Sequence, residues 1–566
     1  MLFKPKTKEE LRKAIEEYCE NDEQKYGNIN DWDVSLITNM SDLFYCCSYS
    51  NCNKKIHHFN QSINNWDVSN VTDMNSMFHG CSEFDQPLNN WNVSNVTDMS
   101  SMFHYCRKFN QPLNNWNVSN VTNMCYMFCY CYVFNQPINN WNVSNVTNMN
   151  CMFYECKKFN QPLNNWNVSN VTTMNSMFGQ CNEFDQLINN WDVSNVTNMN
   201  SMFYECKKFN QPLNNWNVSN VTDMSFMFRN CYVFNQPINN WNVSKVENML
   251  CMFNYCYNFN QPLNNWNVSK VTNMSYMFYG CNKFNQPVSN WNVSKVTNMS
   301  QMFCDCHVFD QPFNNWDVSN VTDMSFMFYN CYKFNQSIND WNVSSVTDMT
   351  GIFRKCHKFN QPLNDWDVSN VTDMSGVFSG CIEFNQPLNN WNVSKVNSML
   401  SMFNNCRKFN QPLNNWDVSK VENMNGMFYN CYNFDQSLNN WNISEKTNIC
   451  HMLFNCEKSR KKTDQKILKC DAYKNYKDIE NIRNDFLNYV KNNKIGSVQD
   501  AARFMTINEI YHSVENKDFV MNNINQDQKN EIQQFITKHI TNVCQLCYSG
   551  IIENEKNGYR VCKSCT

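Results

Sequence analysis

The cysteines near the end of the chain carry the clearest chemistry in the sequence. Cys544 and Cys547 bracket two residues, as do Cys562 and Cys565, and 14 residues separate the pairs. Two such knuckles bring four thiolates within tetrahedral reach of one zinc ion, at about 2.3 Å each. With all four positions filled by cysteine no coordination site is left for water, so the expected metal is one structural Zn2+ and not a catalytic one. The 14 intervening residues suit a hairpin, with Asn557-Gly558 as its turn dipeptide. A RING-type module would need a second ligand set, for which His539 and Cys470 are poor candidates. A second group, Cys46, Cys47, Cys52, His57 and His58, clusters around an insertion and reads as a surface loop rather than a metal site. No Ser-His-Asp or paired-carboxylate set can be assembled by spacing. The 11 glycines of 566 residues include no phosphate-cradling motif. No catalytic residue is expected, and the chain is not expected to be an enzyme.

What must position the zinc module is a long repeat. Tryptophans fall every 25 residues from Trp66 to Trp441, and Trp32 adds a unit with nine extra residues, which accounts for all 17. The unit reads W-[ND]-V-S-x-V-x-x-M-x-x-M-F-x-x-C-x-x-F-[ND]-Q-[PS]-[LI]-N-N. A strict period of this length signals a coil in which each unit buries its apolar side against its neighbours, and 25 residues are too few for a propeller blade. Leu113, Trp116, Val118, Val121 and Met124 follow the frame of a leucine-rich repeat in other apolar letters. The alternation at Trp116 and Val118 predicts a strand with one buried face. The spacing of Met127, Phe128 and Cys131 predicts a short helix or 3₁₀ segment, with Asn-Gln-Pro at the corner. A parallel β-helix is the rival architecture.

The unit resembles the BspA-like leucine-rich-repeat family in its Asn-rich W-D-V-S-N-V-T-x-M-x-x-M-F form, which occurs in bacterial, protist and giant-virus proteins. The opening residues Pro5 to Phe44 resemble the usual start of such arrays, and the match runs over residues 5 to 456. The resemblance implies a binding or surface protein and no reaction. The expected fold is an α/β solenoid of about 17 leucine-rich-repeat-like units with a parallel strand ladder. Its expected parts are an N-terminal capping helix (1–28), the solenoid (29–456), a helical segment (457–541) and the zinc knuckle (542–566).

The ends carry their own signals. Thr7 and Glu10 form a capping box ahead of Leu11, Ala14, Ile15, Tyr18 and Cys19 on one helical face. Val gives way to Lys446 at an inward position, which marks the last unit. Lys458 to Lys462 reads as a basic, solvated linker, followed by helices at 471–492, 498–512 and 526–540.

Seventeen of the 31 cysteines, Cys47 and Cys81 through Cys131 to Cys456, stand 15 residues after a tryptophan. They are expected as reduced, buried thiols rather than disulfides. The segment Met1 to Lys13 lacks the apolar stretch of a signal peptide, and no run of 18 apolar residues occurs. Most units carry glycosylation sequons, and glycans on successive units would collide, so an intracellular, reducing compartment is expected, including a virion or host cytoplasm if the source is viral. The net charge of −4 gives no field for nucleic acid or membrane. The expected function is a protein–protein interaction scaffold with partners of unknown identity. The alternatives are a ubiquitin-pathway adaptor acting through the zinc module and a structural surface or particle protein.

Two surfaces are distinguishable. One is nearly invariant: Asn115, Asn117 and Ser119, then Asn140, Asn142 and Ser144. The other varies around the Met-Phe and Cys positions: Tyr154-Glu155, Lys157-Lys158, Arg229-Asn230, Tyr232-Val233, Arg354-Lys355 and His357-Lys358. Partner binding is expected on the variable surface, which carries the Tyr and Arg common at hot spots.

Overall fold

The structure is a computed structural model that describes residues 3–20, 23–46, 54–463, 554–556 and 559–561. The expected helices at 471–492, 498–512 and 526–540 lie outside the described residues. The chain divides into two compact units, Met1–Val371 with Gly380–Pro387, and Thr372–Ser379 with Leu388–Thr566.

In the first unit, α1 (Lys8–Cys19) opens as its sequence demands: the Thr7 hydroxyl accepts the Glu10 amide at 3.2 Å. The reciprocal arm of the box goes one residue further back, with the Lys6 amide donating to the Glu10 carboxylate at 2.7 Å. Leu11, Ala14, Ile15 and Tyr18 are buried. On its other side Arg12 donates to the Asp42 carbonyl at 2.7 Å and Lys8 to the Ser41 hydroxyl at 2.6 Å, so the helix satisfies polar groups of the first repeat. Short helices α2 (Glu23–Tyr26) and α3 (Lys54–His57) and a 3₁₀ turn (Ile29–Asp31) complete this end.

Each repeat is a chain of β-turns. In the repeat of Trp116, the amides of Trp116, Val121, Met127, Cys131 and Phe134 donate to the carbonyls three residues earlier, at 2.9 to 3.2 Å. Apolar residues at turn boundaries point inward, and Leu113, Trp116, Val118, Val121, Met124, Met127, Phe128, Cys131 and Phe134 are all at most 3% exposed. The spacing of three that reads as helical is therefore the spacing of successive turns. The expected helix at Met127–Cys131 is absent, and so is the expected strand at Trp116–Val118.

Two residues per repeat explain why. Tyr126 and Tyr130 have φ of 57° and 62°, and the same two positions are left-handed in nearly every repeat. Such a residue turns the following amide away from its own i−4 carbonyl, which stops a helix. Every second amide then points along the stack: those of Met124, Tyr126, Phe128 and Tyr130 donate to Asn148, Asn150, Met152 and Tyr154 of the next repeat at 2.8 to 3.0 Å. Only one position per repeat pairs as an isolated parallel bridge, such as Asn123 with Asn148, in place of the expected strand ladder.

The side chains stack in columns. Trp116 and Trp141 are nearly parallel with centroids 6.5 Å apart, and Phe103 and Phe128 lie 5.6 Å apart. The Trp116 indole donates to the Leu88 carbonyl at 3.0 Å, satisfying the polar atom a buried indole carries. The Cys131 thiol donates to the Phe103 carbonyl at 3.0 Å.

The second unit repeats this arrangement from Asp373 to Asn448. Lys446 departs from expectation. It is exposed, because the turn slips by one residue: the Thr447 amide, not that of residue 446, donates to the carbonyl of Ser444. Thr447 takes the buried place and its hydroxyl donates to the Val421 carbonyl at 2.7 Å. The slip spares the lysine the cost of burial. The linker expected at Lys458–Lys462 is instead α4 (Glu457–Lys462), with Ser459 fully buried. Ser459 donates to the Gln436 carbonyl and Lys462 pairs with Asp435 at 3.0 Å, which fixes α4 on the last repeat. The strands β1 (Asn554–Lys556) and β2 (Tyr559–Val561) form an antiparallel pair whose final register is Lys556 with Tyr559. A two-residue connection at 557–558 is what the Asn-Gly dipeptide favours.

Candidate binding surfaces

The metal ligands expected from sequence, Cys544, Cys547, Cys562 and Cys565, lie outside the described residues. The hairpin expected between them is formed by β1 and β2. Among the described residues no group of three or more His, Cys, Asp or Glu is placed to hold a metal. In the cluster around the first insertion, Cys46 is disulfide-bonded. Cys47 and Cys52 lie outside the described residues.

The thiol column cannot supply a nucleophile. From Cys81 to Cys456 the frame cysteines are buried thiols outside any disulfide. Burial pushes the thiols of Cys106, Cys131 and Cys156 well above their ordinary range, so they stay protonated and inert.

The invariant asparagines are occupied by the fold. Asn117 accepts the Ser119 amide at 3.2 Å within its own turn, while Asn145 donates to the Ser119 carbonyl at 2.7 Å from the next repeat. Asn135 accepts the Asn160 amide at 2.9 Å. The stacked amides thus mostly bond to backbone across the repeat boundary, rather than to one another.

The variable surface carries rings and cations in registered columns. Tyr132 lies between Arg107, 5.7 Å from its ring centre, and Lys157, at 4.5 Å. Arg229 covers Tyr204 at 5.6 Å and Phe226 at 5.7 Å, and Arg354 covers Tyr329 at 5.7 Å. Tyr232 stacks on Tyr257 at 5.1 Å. Val133, Val233 and Tyr257 are exposed. Of the residues expected there, Lys157, Lys158, Arg354, Lys355 and Lys358 are exposed, while Tyr154, Glu155, Arg229, Asn230, Tyr232 and His357 are half-buried. Ion pairs join Lys108 to Glu83 and Lys208 to Glu183. Burial holds the Tyr204 hydroxyl up at about 12.

Sequence reasoning missed two stacks on this surface. His307, Tyr332 and His357 lie face to face, 4.8 Å apart at each step. Tyr45, His79, His104 and Tyr105 form a chain of rings 4.5 to 4.7 Å apart. Writing the repeats one under another exposes the first, because its members share one column.

Among the described residues no helix is long and apolar enough to cross a membrane. The bonded repeats and their shared columns define a tandem-repeat protein. The chain belongs to the family described as "Mycoplasma protein of unknown function, DUF285", whose model matches residues 13–128, 113–196, 172–281, 252–366 and 347–466. No curated protein matches the chain.

Proposed function

We propose that the chain is a non-catalytic protein–protein interaction scaffold, a BspA-like, leucine-rich-repeat-like solenoid that binds through its variable surface. The carrying observation is the band of tyrosines flanked by arginine and lysine, from Tyr132 through Arg229 and Tyr232 to Arg354. Rings held by stacking lose little side-chain entropy on binding, and Tyr and Arg dominate hot spots. The invariant asparagines are spent on hydrogen bonds between and within repeats, which leaves them less to offer a partner. The buried, protonated thiols of the frame cysteines serve packing in this reading. In this reading the four C-terminal cysteines hold one structural zinc ion.

The test is capture of partners by the full chain, identified by mass spectrometry. Tyr232→Ala with Arg354→Glu should lose the specific partners, while Asn117→Ala with Asn142→Ala, with folding intact, should keep them. The reverse pattern would place binding on the invariant face.

A further inference from the structure

On the invariant face one column changes character over three successive repeats, and lysine returns to it at Lys395 and Lys420. From Asn70 to Asn220 an asparagine in this column donates in every repeat to a serine carbonyl of the preceding one, as Asn195 does to Ser169 at 2.8 Å and Asn220 to Ser194 at 2.7 Å. The pattern resumes with Asn320 donating to Ser294 at 2.7 Å. Between them stand Lys245, Lys270 and Lys295, all exposed. Lys245 donates to Asn220 Oδ1 at 2.6 Å, and the carbonyls of Ser219, Ser244 and Ser269 lack the donor the column supplies elsewhere.

These lysines cost the fold twice. Each removes a bond between repeats, and like charges on adjacent repeats repel at a spacing of about 4.8 Å. The surroundings do not neutralise them. The residues two before each lysine's serine are Asn242, Asn267 and Asn292, the residue most repeats carry there, so this column brings no carboxylate beside the lysines. The side-chain oxygens of these asparagines accept the amides of Ser244, Ser269 and Ser294 at 3.1 to 3.2 Å, which leaves the NH2 groups as donors. Glu247 is the one carboxylate on the face of these repeats.

We propose that Lys245, Lys270 and Lys295 form a binding stripe for a linear oligophosphate, of the inorganic polyphosphate type. Three ammonium groups in line, each with an amide donor beside it, match a chain with a negative charge on every link. Nucleic acid is the less suitable polyanion here, since single strands are held by base stacking as well as charge. The tryptophans of these repeats, Trp241, Trp266 and Trp291, are at most 2 to 3% exposed and offer no stacking platform. The stripe is separate from the Tyr and Arg band, and it stands or falls independently of the protein-binding reading.

The experiment measures binding of fluorescent linear polyphosphate to the full chain, with oligo(dT) and poly-glutamate of equal charge as competitors. Lys245→Asn with Lys270→Asn and Lys295→Asn restores the residue used from Asn70 to Asn220 and at Asn320, so folding is preserved and the melting temperature should hold or rise. That variant should lose at least tenfold in affinity and flatten the salt dependence by about 2 in log–log slope. Lys157→Asn with Lys207→Asn, on the variable surface, should change affinity less than twofold. Equal binding by the stripe variant, an equal loss in the control variant, or no binding at low salt overturns the proposal. Displacement by oligo(dT) or poly-glutamate as effective as by polyphosphate overturns it too, reassigning the stripe to that polymer.

Discussion

The ring of Phe326 fills the space that a Cβ on Gly351 would need: an ideal Cβ there would lie 2.5 Å from Cε1 and 2.6 Å from Cδ1. Gly351 follows Phe326 by one repeat and has a φ of 57°. Tyr255 stands in the same relation to Gly280, with a closest approach of 2.6 Å. Adjacent repeats thus trade volume, a large ring in one admitted by a missing side chain in the next. Gly351→Ala should cost roughly 2–4 kcal/mol, from overpacking and the left-handed backbone together. Phe326→Ala in the same chain should recover about 1–2 kcal/mol through coupling. Amide exchange around Phe328 and Phe353 is the measurement, because an array need not unfold as one unit. Additive effects would show that the ring and the glycine are not in contact.

Phe313 disturbs its neighbours. It stands where other repeats carry Leu, Ile or Val, and its ring meets Trp316 at 4.6 Å and Trp341 at 5.4 Å, both edge-on. The Trp341 indole nitrogen is buried without a partner, whereas Trp316 donates to Val288 at 2.9 Å and Trp366 to Ile338 at 3.0 Å. Phe313→Leu should let the indole reach the residue 313 carbonyl and stabilise these repeats by about 1 kcal/mol. Slower exchange of the Trp341 indole proton, or a higher urea midpoint, checks it. A destabilised variant would mean the larger ring is the better filler.

His104 should make its repeats sensitive to acid. Burial, with His79 beside it, holds the imidazole down at about 3, against an ordinary value near 6.5. Below pH 6.5 the unfolded chain binds a proton that the folded chain does not. Stability is therefore intact above pH 6.5 and falls as the pH drops, by on the order of 1–2 kcal/mol at pH 4.5 for a half-buried ring. His79, whose imidazole burial also pushes down, adds in the same direction. Exchange of amides from Phe103 to Phe109 at pH 7.5 and 4.5, corrected for the intrinsic rate, should show the loss. His104→Tyr, which copies Tyr154 and Tyr204 in the same column, should reduce it.

The apolar frame was legible because a 25-residue period repeats each inward position, so Trp116, Val118 and Cys131 declare themselves buried. The backbone path was not. A spacing of three fits a helical turn and a run of β-turns equally, and the left-handed residues that decide between them are Tyr105, Tyr130 and Glu155. None of these three is a glycine, and the signal stands only in sister repeats, where Gly80, Gly280 and Gly380 hold the same position with positive φ. At Lys446 a one-residue slip, invisible in the sequence, turned an inward position outward. At Ser459 a basic segment gained a buried side that its charge concealed. The variable columns were legible as a surface, but the pairing of Arg107 and Lys157 across Tyr132 needed the stacking order.

The full chain should bind one zinc ion through Cys544, Cys547, Cys562 and Cys565, with β1 and β2 as the hairpin between the knuckles. Metal analysis after gel filtration should give one equivalent. Cys544→Ser with Cys547→Ser should abolish it, since two ligands cannot close a tetrahedral site. Chelation should leave amide protection in the repeats unchanged. Stoichiometric zinc that survives the double substitution would refute the assignment.

The asparagine that follows each repeat's last phenylalanine should tolerate Asp and not Ala. At Asn160 the side-chain oxygen accepts the Asp185 amide at 2.9 Å and the Gln186 amide group at 2.9 Å. Asp85 does the same for Asn110 and Gln111, each at 2.9 Å, and Asp185 for Asn210 and Gln211. Only the oxygen is used, and the chain alternates Asn and Asp here without changing the geometry. Asn160→Asp should therefore change stability by less than about 0.5 kcal/mol. Asn160→Ala leaves the Asp185 amide without its acceptor and should cost about 1–2 kcal/mol. Exchange of the Asp185 amide reports the bond directly: it should stay slow with Asp and become fast with Ala. Equal protection in both variants would mean that the backbone stack alone holds this corner, and that its asparagines owe nothing to the hydrogen bond.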